Sequence, residues 1–589
     1  MLLAINIAYE YSCTKMVLFQ TEVSTRQPQD ALLTASDSAW ITQLKPFLRN
    51  EQKGSLAGLS FAVKDNIDVS GLPTTAACAP FAYTPTKHAT VVSRLLQVGA
   101  SLKGKTNLDQ FACGLNGTRS PYGAVPNAFK SNYVSGGSSA GSAYVVAKQE
   151  VDFALGTDTA GSGRVPAGLN NIVGLKPSRG LVSAAGVVPA AQNVDCVSIF
   201  ATTVSTAVKV LEALTGFDEA DPFSRALVLK DTPFPASFTF GIPNQLEFFG
   251  DAWAQAAFSR AIEHMKNLGG QPVWVNYSPL AEAASMLYGS ALVSWRYAAI
   301  RDFFDQHPEE VIEPVQSILK SGQSFSAADY CQAETKLMAL KQTAQKMWSS
   351  IDVLLVPTAP THYTISEMQA NPIELNKNLG HYTNFVNLFD YAALSVPSEI
   401  RPDQLPFGIT LVGPAGSDWQ LADLGQRYHH STGLMQGATH HPLPSPEPIA
   451  GLKPRATVQV AVVGAHLSGM PLNQQLTERK SRLIKTTQTS DCYQLFALPN
   501  ATPPKPGLLR VLPGRGVAVE IEIWEMPASE YGSFVALIPA PLGIGTLQLA
   551  DGTSVQGFLC EPLALEGATN ISQFGGWRAY IASLQTLST

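Results

Sequence analysis

The sequence has no uninterrupted apolar run of the roughly 18 residues that a membrane-crossing helix needs; its alanine-rich stretches are broken by Gly, Ser or charge. A soluble chain with no membrane partner is expected. Charge is scarce as well: 15% of residues are charged, and 40 Lys plus Arg against 46 Asp plus Glu leave a net −6. That imbalance is too weak to suggest nucleic acid or another polyphosphate partner, so any anion must be held by local residues. The seven cysteines, Cys13, Cys78, Cys113, Cys196, Cys331, Cys492 and Cys560, form an odd set without a CxxC pair. This argues against a disulfide framework and a zinc knuckle, and a reducing cytoplasm is expected. The opening MLLAINIAYEYSCTK has no basic region before its apolar run and no small-residue cleavage site after it, so no secretion signal is expected.

What is present is a large globular composition. With 45% apolar residues over 589 positions the chain can bury a sizeable core, and two or three domains are expected. The clearest break is HHPLPSPEPIAGLKPR at 440–455, where five prolines in sixteen residues exclude a regular helix or central strand. This segment is read as a linker between a domain at 1–439 and another at 456–589. Before it, helical patterns (TVVSRLLQVGA, DAWAQAAFSRAIEHMKNLG) alternate with β-rich runs (SFAVK, FTFGI, DVLLVP), predicting an α/β domain. After it, VQVAVVGAHL, GVAVEIEIWEM, SFVALIPA and GTLQLADGTSVQGFLC predict a small domain built mostly of strands.

Chemistry-bearing residues concentrate between Tyr133 and Gly180. Two small-residue loops, GGSS at 136–139 and TDTAGSGR at 157–164, flank a predicted helix at 139–149 and the strand-like DFALG. Neither loop has the spacing of a nucleotide-binding phosphate loop. A serine nucleophile needs a base and donors for the oxyanion. None of the ten histidines lies in this segment, and no GxSxG elbow occurs, which weakens a Ser-His-Asp triad. A Ser-Lys arrangement is the next possibility. Lys64 ends LSFAVK, where burial of a strand end would lower its pKa toward a useful base; the competing reading is a snorkelling surface lysine.

AVKDNIDVSGLPTT, NLDQFACGLNGTRSPYGAVPN, SGGSSAGSA and ALGTDTAGSGRVPAGLNNIVGLKPSRG together resemble the amidase signature family, from about residue 20 to 435. The resemblance implies a mixed β-sheet core covered by helices, followed by a small β-rich α+β domain. It implies a catalytic triad of Lys64, Ser138 joined to Gly137 by a cis peptide bond, and the nucleophile Ser162, the two serines 24 residues apart. The N–H groups of Thr159, Ala160, Gly161 and Ser162 would form the oxyanion hole. Ala160 and Gly163 depart from the commonest family pattern. TDTAGSGRVPA with an added C-terminal domain resembles the allophanate hydrolase branch. There, Tyr288 and Arg296, eight residues apart and read as one helix face, would hold the carboxylate of allophanate.

That branch implies amide hydrolysis to ammonia and N-carboxycarbamate, which breaks down to carbon dioxide and a second ammonia. No biotin-attachment or ATP-grasp sequence is visible, so the urea carboxylase that supplies allophanate is expected on a separate chain. A homodimer is expected by analogy, and no metal or other cofactor. Alternatives are a general or biuret-type amidase, the amidotransferase component that works on charged tRNA, or an amidase-like binding protein without activity. His466, in a glycine-flanked turn of VGAHLSGMPLN, is the candidate in the C-terminal domain, against a structural histidine. Glu520 and Glu522 share a strand face. Asp158 is read as a turn residue or loop support, Arg164 as loop support with a catalytic role as the alternative, Cys113 as buried filler rather than a nucleophile, and the His429–His430 and His440–His441 pairs as surface residues.

Overall fold

The computed structural model describes residues 22–25, 37–49, 53–453, 456–499 and 502–586. The N-terminal stretch read for a secretion signal lies outside them. The chain divides into two compact units, Met1–Lys453 and Pro454–Thr589.

The first unit is built on a mixed sheet of twelve strands: β1 (Glu22–Thr25), β2 (Trp40–Arg49), β3 (Ser60–Lys64), β4 (Ser101–Thr106), β5 (Phe153–Asp158), β6 (Val173–Lys176), β7 (Cys196–Ala201), β8 (Phe238–Pro243), β9 (Gly270–Val275), β10 (Val353–Pro357), β11 (Tyr391–Ile400) and β12 (Pro406–Pro414). Their order is β1-β2-β4-β3-β5-β7-β6-β11-β12-β10-β8-β9. Strand β3 runs parallel to both β4 and β5, while β5–β7, β7–β6 and β6–β11 are antiparallel. Strands covered on both faces are largely apolar; FALGTD in β5 is buried at every position, with its polar residues Thr157 and Asp158 at the end that reaches the site. Phe61 and Phe153 stack across β3 and β5 at 5.4 Å between ring centroids.

Helices cover the sheet. They include α1 (Thr90–Gln97), α2 (Ala140–Ala147), α3 (Val165–Leu169), α4 (Val204–Leu214), α5 (Ala252–Asn267), α6 (Ser278–Gly289) and α7 (Ser294–Ala299). Asp251 caps α5 by accepting a hydrogen bond from the Ala254 N–H. All eight residues of α2, AGSAYVVA, are buried. Its Gly141 lies against the chain so closely that an added Cβ would come 2.3 Å from the Ala39 carbonyl oxygen. The α/β reading of this half of the sequence therefore holds. The proline-rich segment carries no helix or strand up to Lys453 and lies along the first unit: Ile449 joins its core, and Glu447 pairs with Lys209.

The second unit has eight strands among the described residues: β13 (Thr457–Val462), β14 (Arg482–Gln488), β15 (Tyr493–Ala497), β16 (Pro506–Arg510), β17 (Glu520–Pro527), β18 (Leu542–Gln548), β19 (Ser554–Cys560) and β20 (Thr569–Asn570). They form a five-stranded sheet, β14-β17-β13-β19-β18, and a three-stranded one, β16-β15-β20. One expected strand is helical instead: the first residues of SFVALIPA close the helix Ala528–Val535. Phe534 is its only buried residue, whereas a strand with one face in the core would bury alternate residues.

Candidate active site

Strand β3 ends at Lys64, between β4 and β5 in the sheet, and the side chain is fully buried. Its Nζ lies 2.8 Å from Ser138 Oγ and 2.8 Å from Thr157 Oγ1. Burial pushes the Lys64 pKa down to about 7; the charges of Asp109, Asp195 and Asp158 work against burial, and Arg296 reinforces it. The adjacent Lys105 shows what makes this lysine different. It is equally buried but forms an ion pair with Asp65 at 2.9 Å, whereas Lys64 has no carboxylate within 4 Å among the described residues. Lys64 is placed to be a neutral amine near pH 7, and the snorkelling alternative is excluded.

Ser138 follows Gly137 through a cis peptide bond just ahead of α2. Ser162 stands in the turn between β5 and α3, so the sheet brings together three side chains from separate parts of the sequence. The turn is braced from beneath. Arg164 forks onto Asp158, with Nε and Nη2 each 2.9 Å from a carboxylate oxygen, and Gly163 N–H donates to the same carboxylate at 2.9 Å. Burial works to raise the Asp158 pKa, but Arg164 and its hydrogen bonds override it and hold the group ionised below its usual range. Asn387 bridges the Asp158 and Val194 carbonyls, and the Thr159 hydroxyl donates to Asp195 at 2.5 Å. Loop support, the reading given to Arg164, is what these contacts describe.

Backbone packing explains the small residues. Gly161 has φ +148°, and a Cβ there would come 2.3 Å from Thr383 Oγ1. At Gly163 a Cβ would come 2.4 Å from Ser198 Cβ, which accounts for the missing bulkier residue. Among the described residues, none of the N–H groups of Thr159, Ala160, Gly161 and Ser162 donates to another protein group. Four consecutive unclaimed donors beside a buried serine are suited to an oxyanion. One link of the expected relay is not made here: Ser162 Oγ is 3.5 Å from the Gly114 carbonyl and has no hydrogen bond to Ser138.

Tyr288 and Arg296 do not share one helix. Tyr288 belongs to α6 and Arg296 to α7, because Ser290 is extended (φ −142°, ψ 179°) and a 3-10 turn at Ala291–Val293 intervenes. The side chains nevertheless meet. Arg296 Nη2 donates to the Tyr288 hydroxyl at 3.0 Å, and the guanidinium lies 4.9 Å over the Tyr288 ring. Arg296 is buried, its Nε has no partner, and no carboxylate lies within 4 Å of it among the described residues. A buried, unpaired guanidinium is a seat for an anion. Burial raises the Tyr288 pKa, with Arg296 opposing.

Sequence reading missed several residues that touch this centre: Asp109, Thr157, Asp195 and Asn387, whose partners are 7 to 229 residues away. NLDQF opens one of the motifs that carry the family resemblance but gives Asp109 no role by itself, and NVDCV carries no local mark. Cys113 is buried, as expected. His429 corrects the surface reading: it is 2% exposed on the buried side of its helix, and burial pushes its pKa down to about 3, while His440 and His441 are exposed. Among the described residues no cluster of three or more His, Cys, Asp or Glu is placed to hold a metal ion.

In the second unit, His466 stacks on Phe558 (5.0 Å between centroids) and meets Phe534 edge-on, with Nε2 2.9 Å from Gln475 Oε1. Burial lowers its pKa. It lines a cavity of about 230 Å³ together with Lys505, Gln475 and apolar residues including Ile538. Glu520 and Glu522 do share a face, and Arg578 bonds both; Glu522 also accepts from Ser468 N–H and Trp524 Nε1. These contacts make Glu522 a brace for the turn that carries His466.

Comparison with known proteins adds to this geometry. Residues 11–422 match the family model described as Amidase, and residues 458–582 match that described as Allophanate hydrolase C-terminal domain. The chain is 42% identical over 575 residues to the urea amidolyase of Saccharomyces cerevisiae, covering 93% of this chain but 31% of that protein, so it spans about a third of that relative's length. A crystal structure of Kluyveromyces lactis allophanate hydrolase matches with a TM-score of 0.71 and 40% identity, covering 93% of this chain and 94% of the other. One component of the glutamyl-tRNA(Gln) amidotransferase of a Nostoc species is 32% identical over 416 residues, 65% of this chain and 85% of that protein.

Proposed function

Because the chain belongs to the amidase family, we propose that it hydrolyses allophanate, with Ser162 as nucleophile, Ser138 as relay and Lys64 as base. The observation that carries this reading is the enclosed, unpaired Lys64 amine 2.8 Å from Ser138 Oγ, beside four unclaimed backbone donors. A rotation of the Ser162 hydroxyl from the Gly114 carbonyl toward Ser138 completes the relay. Ser162 Oγ then attacks the terminal amide carbon of allophanate, and its proton passes through Ser138 to Lys64. The carbonyl oxygen becomes an oxyanion held by the N–H groups of Thr159 to Ser162, a contribution of about 3 kcal/mol per donor in comparable hydrolases. The same relay returns the proton to the departing ammonia, and water then releases N-carboxycarbamate from Ser162. Arg296 and Tyr288 hold the substrate carboxylate.

The second unit then acts on N-carboxycarbamate, with His466 assisting proton movement and Lys505 supplying positive charge in the same cavity. Support comes from the match of residues 458–582 and of the K. lactis structure over nearly its whole length. The domain division is taken at the linker 440–455. Urea carboxylation lies outside these 589 residues, and the protein works in the cytoplasm as a homodimer. An amidotransferase role accounts for neither the second unit nor the unpaired Arg296. Ammonia release from allophanate, biuret, urea and simple aliphatic amides tests the assignment: allophanate should be strongly preferred, and a preference for simple amides overturns the substrate while leaving the chemistry.

A further inference from the structure

Asp109 is fully buried yet forms no ion pair among the described residues. Backbone groups satisfy it instead: Oδ2 accepts from Asn116 N–H (3.2 Å) and Gly117 N–H (3.1 Å), and Oδ1 from Arg119 N–H (3.0 Å). Arg119 turns its guanidinium away, onto the carbonyls of Cys113 and Pro372. Asp109 also reaches the serine relay through its own backbone, since its N–H donates to the Ser138 carbonyl at 3.0 Å. Its carboxylate presses on two glycines of the site. A Cβ on Gly137 would come 2.1 Å from Oδ2, and one on Gly114, whose carbonyl faces Ser162 Oγ, would come 2.4 Å from it. One carboxylate thus binds the loop 114–119, abuts the Gly137–Ser138 peptide and supports the carbonyl beside the nucleophile.

We propose that Asp109 is a positioning residue that holds Ser138 and Gly114 in register, with its carboxylate one of three that face the Lys64 amine. The inference rests on the reading of Lys64, Ser138 and Ser162 given above. The charges that face Lys64 are Asp109, Asp195 and Asp158, which favour the ammonium, and Arg296, which opposes it; Asp109 acts most strongly. The neighbouring Lys105 is neutralised by Asp65. Without Asp109 the lysine would lose its proton at lower pH and become a weaker base.

The test labels the full chain with a small fluorophosphonate over a range of pH, a readout independent of the natural substrate. Ser162 Oγ forms a bond to phosphorus, the P–F bond breaks, fluoride leaves, and the Ser162 proton passes to Lys64. The labelling rate in the unaltered protein should rise with pH along a limb centred near 7. Asp109→Asn keeps an acceptor oxygen but removes the charge, and should move that limb down by about one unit. Gly114→Ala displaces the carboxylate without discharging it, and should cut the plateau rate about tenfold with the limb in place. A merely structural role lowers rates without moving any limb. An unmoved limb in folded Asp109→Asn overturns the proposal, and so does Gly114→Ala at full plateau rate, whether or not the Asn variant folds. No label on Ser162 of the unaltered protein overturns the triad reading, and the inference with it.

Discussion

Lys64 carries opposite consequences for rate and for stability. As a base it works only when neutral, so kcat/KM for allophanate should climb through pH 7, and a flat profile from pH 5 to 9 would exclude it. Its folded pKa of about 7 lies below the ordinary 10.5, so between those values the unfolded chain binds more protons and stability rises with pH. Below pH 7 burying this lysine costs on the order of 5 kcal/mol. Lys64→Met should therefore abolish ammonia release yet raise the melting temperature at pH 7, by an amount that shrinks as pH approaches 10.5. Ser162→Ala should abolish activity without that gain. Arg296→Lys keeps the charge but loses the planar fork that reaches Tyr288, so kcat/KM should fall strongly for allophanate and less for a neutral amide. Equal losses for both substrates would make Arg296 structural.

The turn from β5 to α3 shows how an element is made to present a nucleophile. Its backbone donors stay unclaimed because the loop is fixed from below by the enclosed Asp158–Arg164 pair and by Asn387. Arg164→Met leaves Asp158 buried without its partner and should cost about 3–5 kcal/mol in urea unfolding of the first unit. Adding Asp158→Asn should recover most of it; a double variant as weak as the single one would show that the pair is not the brace. How much of this was legible in sequence depends on range. SFAVK, AGSAYVVA and DFALG declare their elements through local pattern, and GGSS and TDTAGSGR declare a site through small-residue density. Asn387 is invisible because its partners are set by tertiary closure, whereas Asp109 and Asp195 take backbone donors four to ten residues away in loops that have no regular period to mark them. The Tyr288–Arg296 pairing survived for a different reason than periodicity gave: two helices separated at Ser290 converge, where one continuous helix was expected. SFVALIPA failed for want of alternation, as apolar runs this short fit either helix or strand.

At the scale of the whole chain, the boundary between units decides what each can do alone. The proline-rich segment has the composition of a linker, yet through Lys453 it contributes to the first unit: Ile449 is 6% exposed in the core, Gln426 donates to the Glu447 carbonyl, and Lys453 pairs with Asp231 at 2.6 Å. A chain ending at 445 should thus be less stable than one ending at 453, by roughly the 1.5–3 kcal/mol of a buried isoleucine, the surface ion pairs adding little. The 1–453 chain retains Lys64, Ser138, Ser162, Tyr288 and Arg296, and should release the first ammonia from allophanate at the full-length rate. N-carboxycarbamate should then break down only at its uncatalysed rate, so that carbon dioxide lags behind ammonia in rapid mixing. Supplying residues 454–589 as a separate chain should abolish the lag, because His466, Lys505 and the Glu522 brace all lie within it. The same fragment carrying His466→Ala should not. If His466→Ala removes the lag as fully as the unaltered fragment, the histidine has no chemical role and the cavity acts through its charge alone.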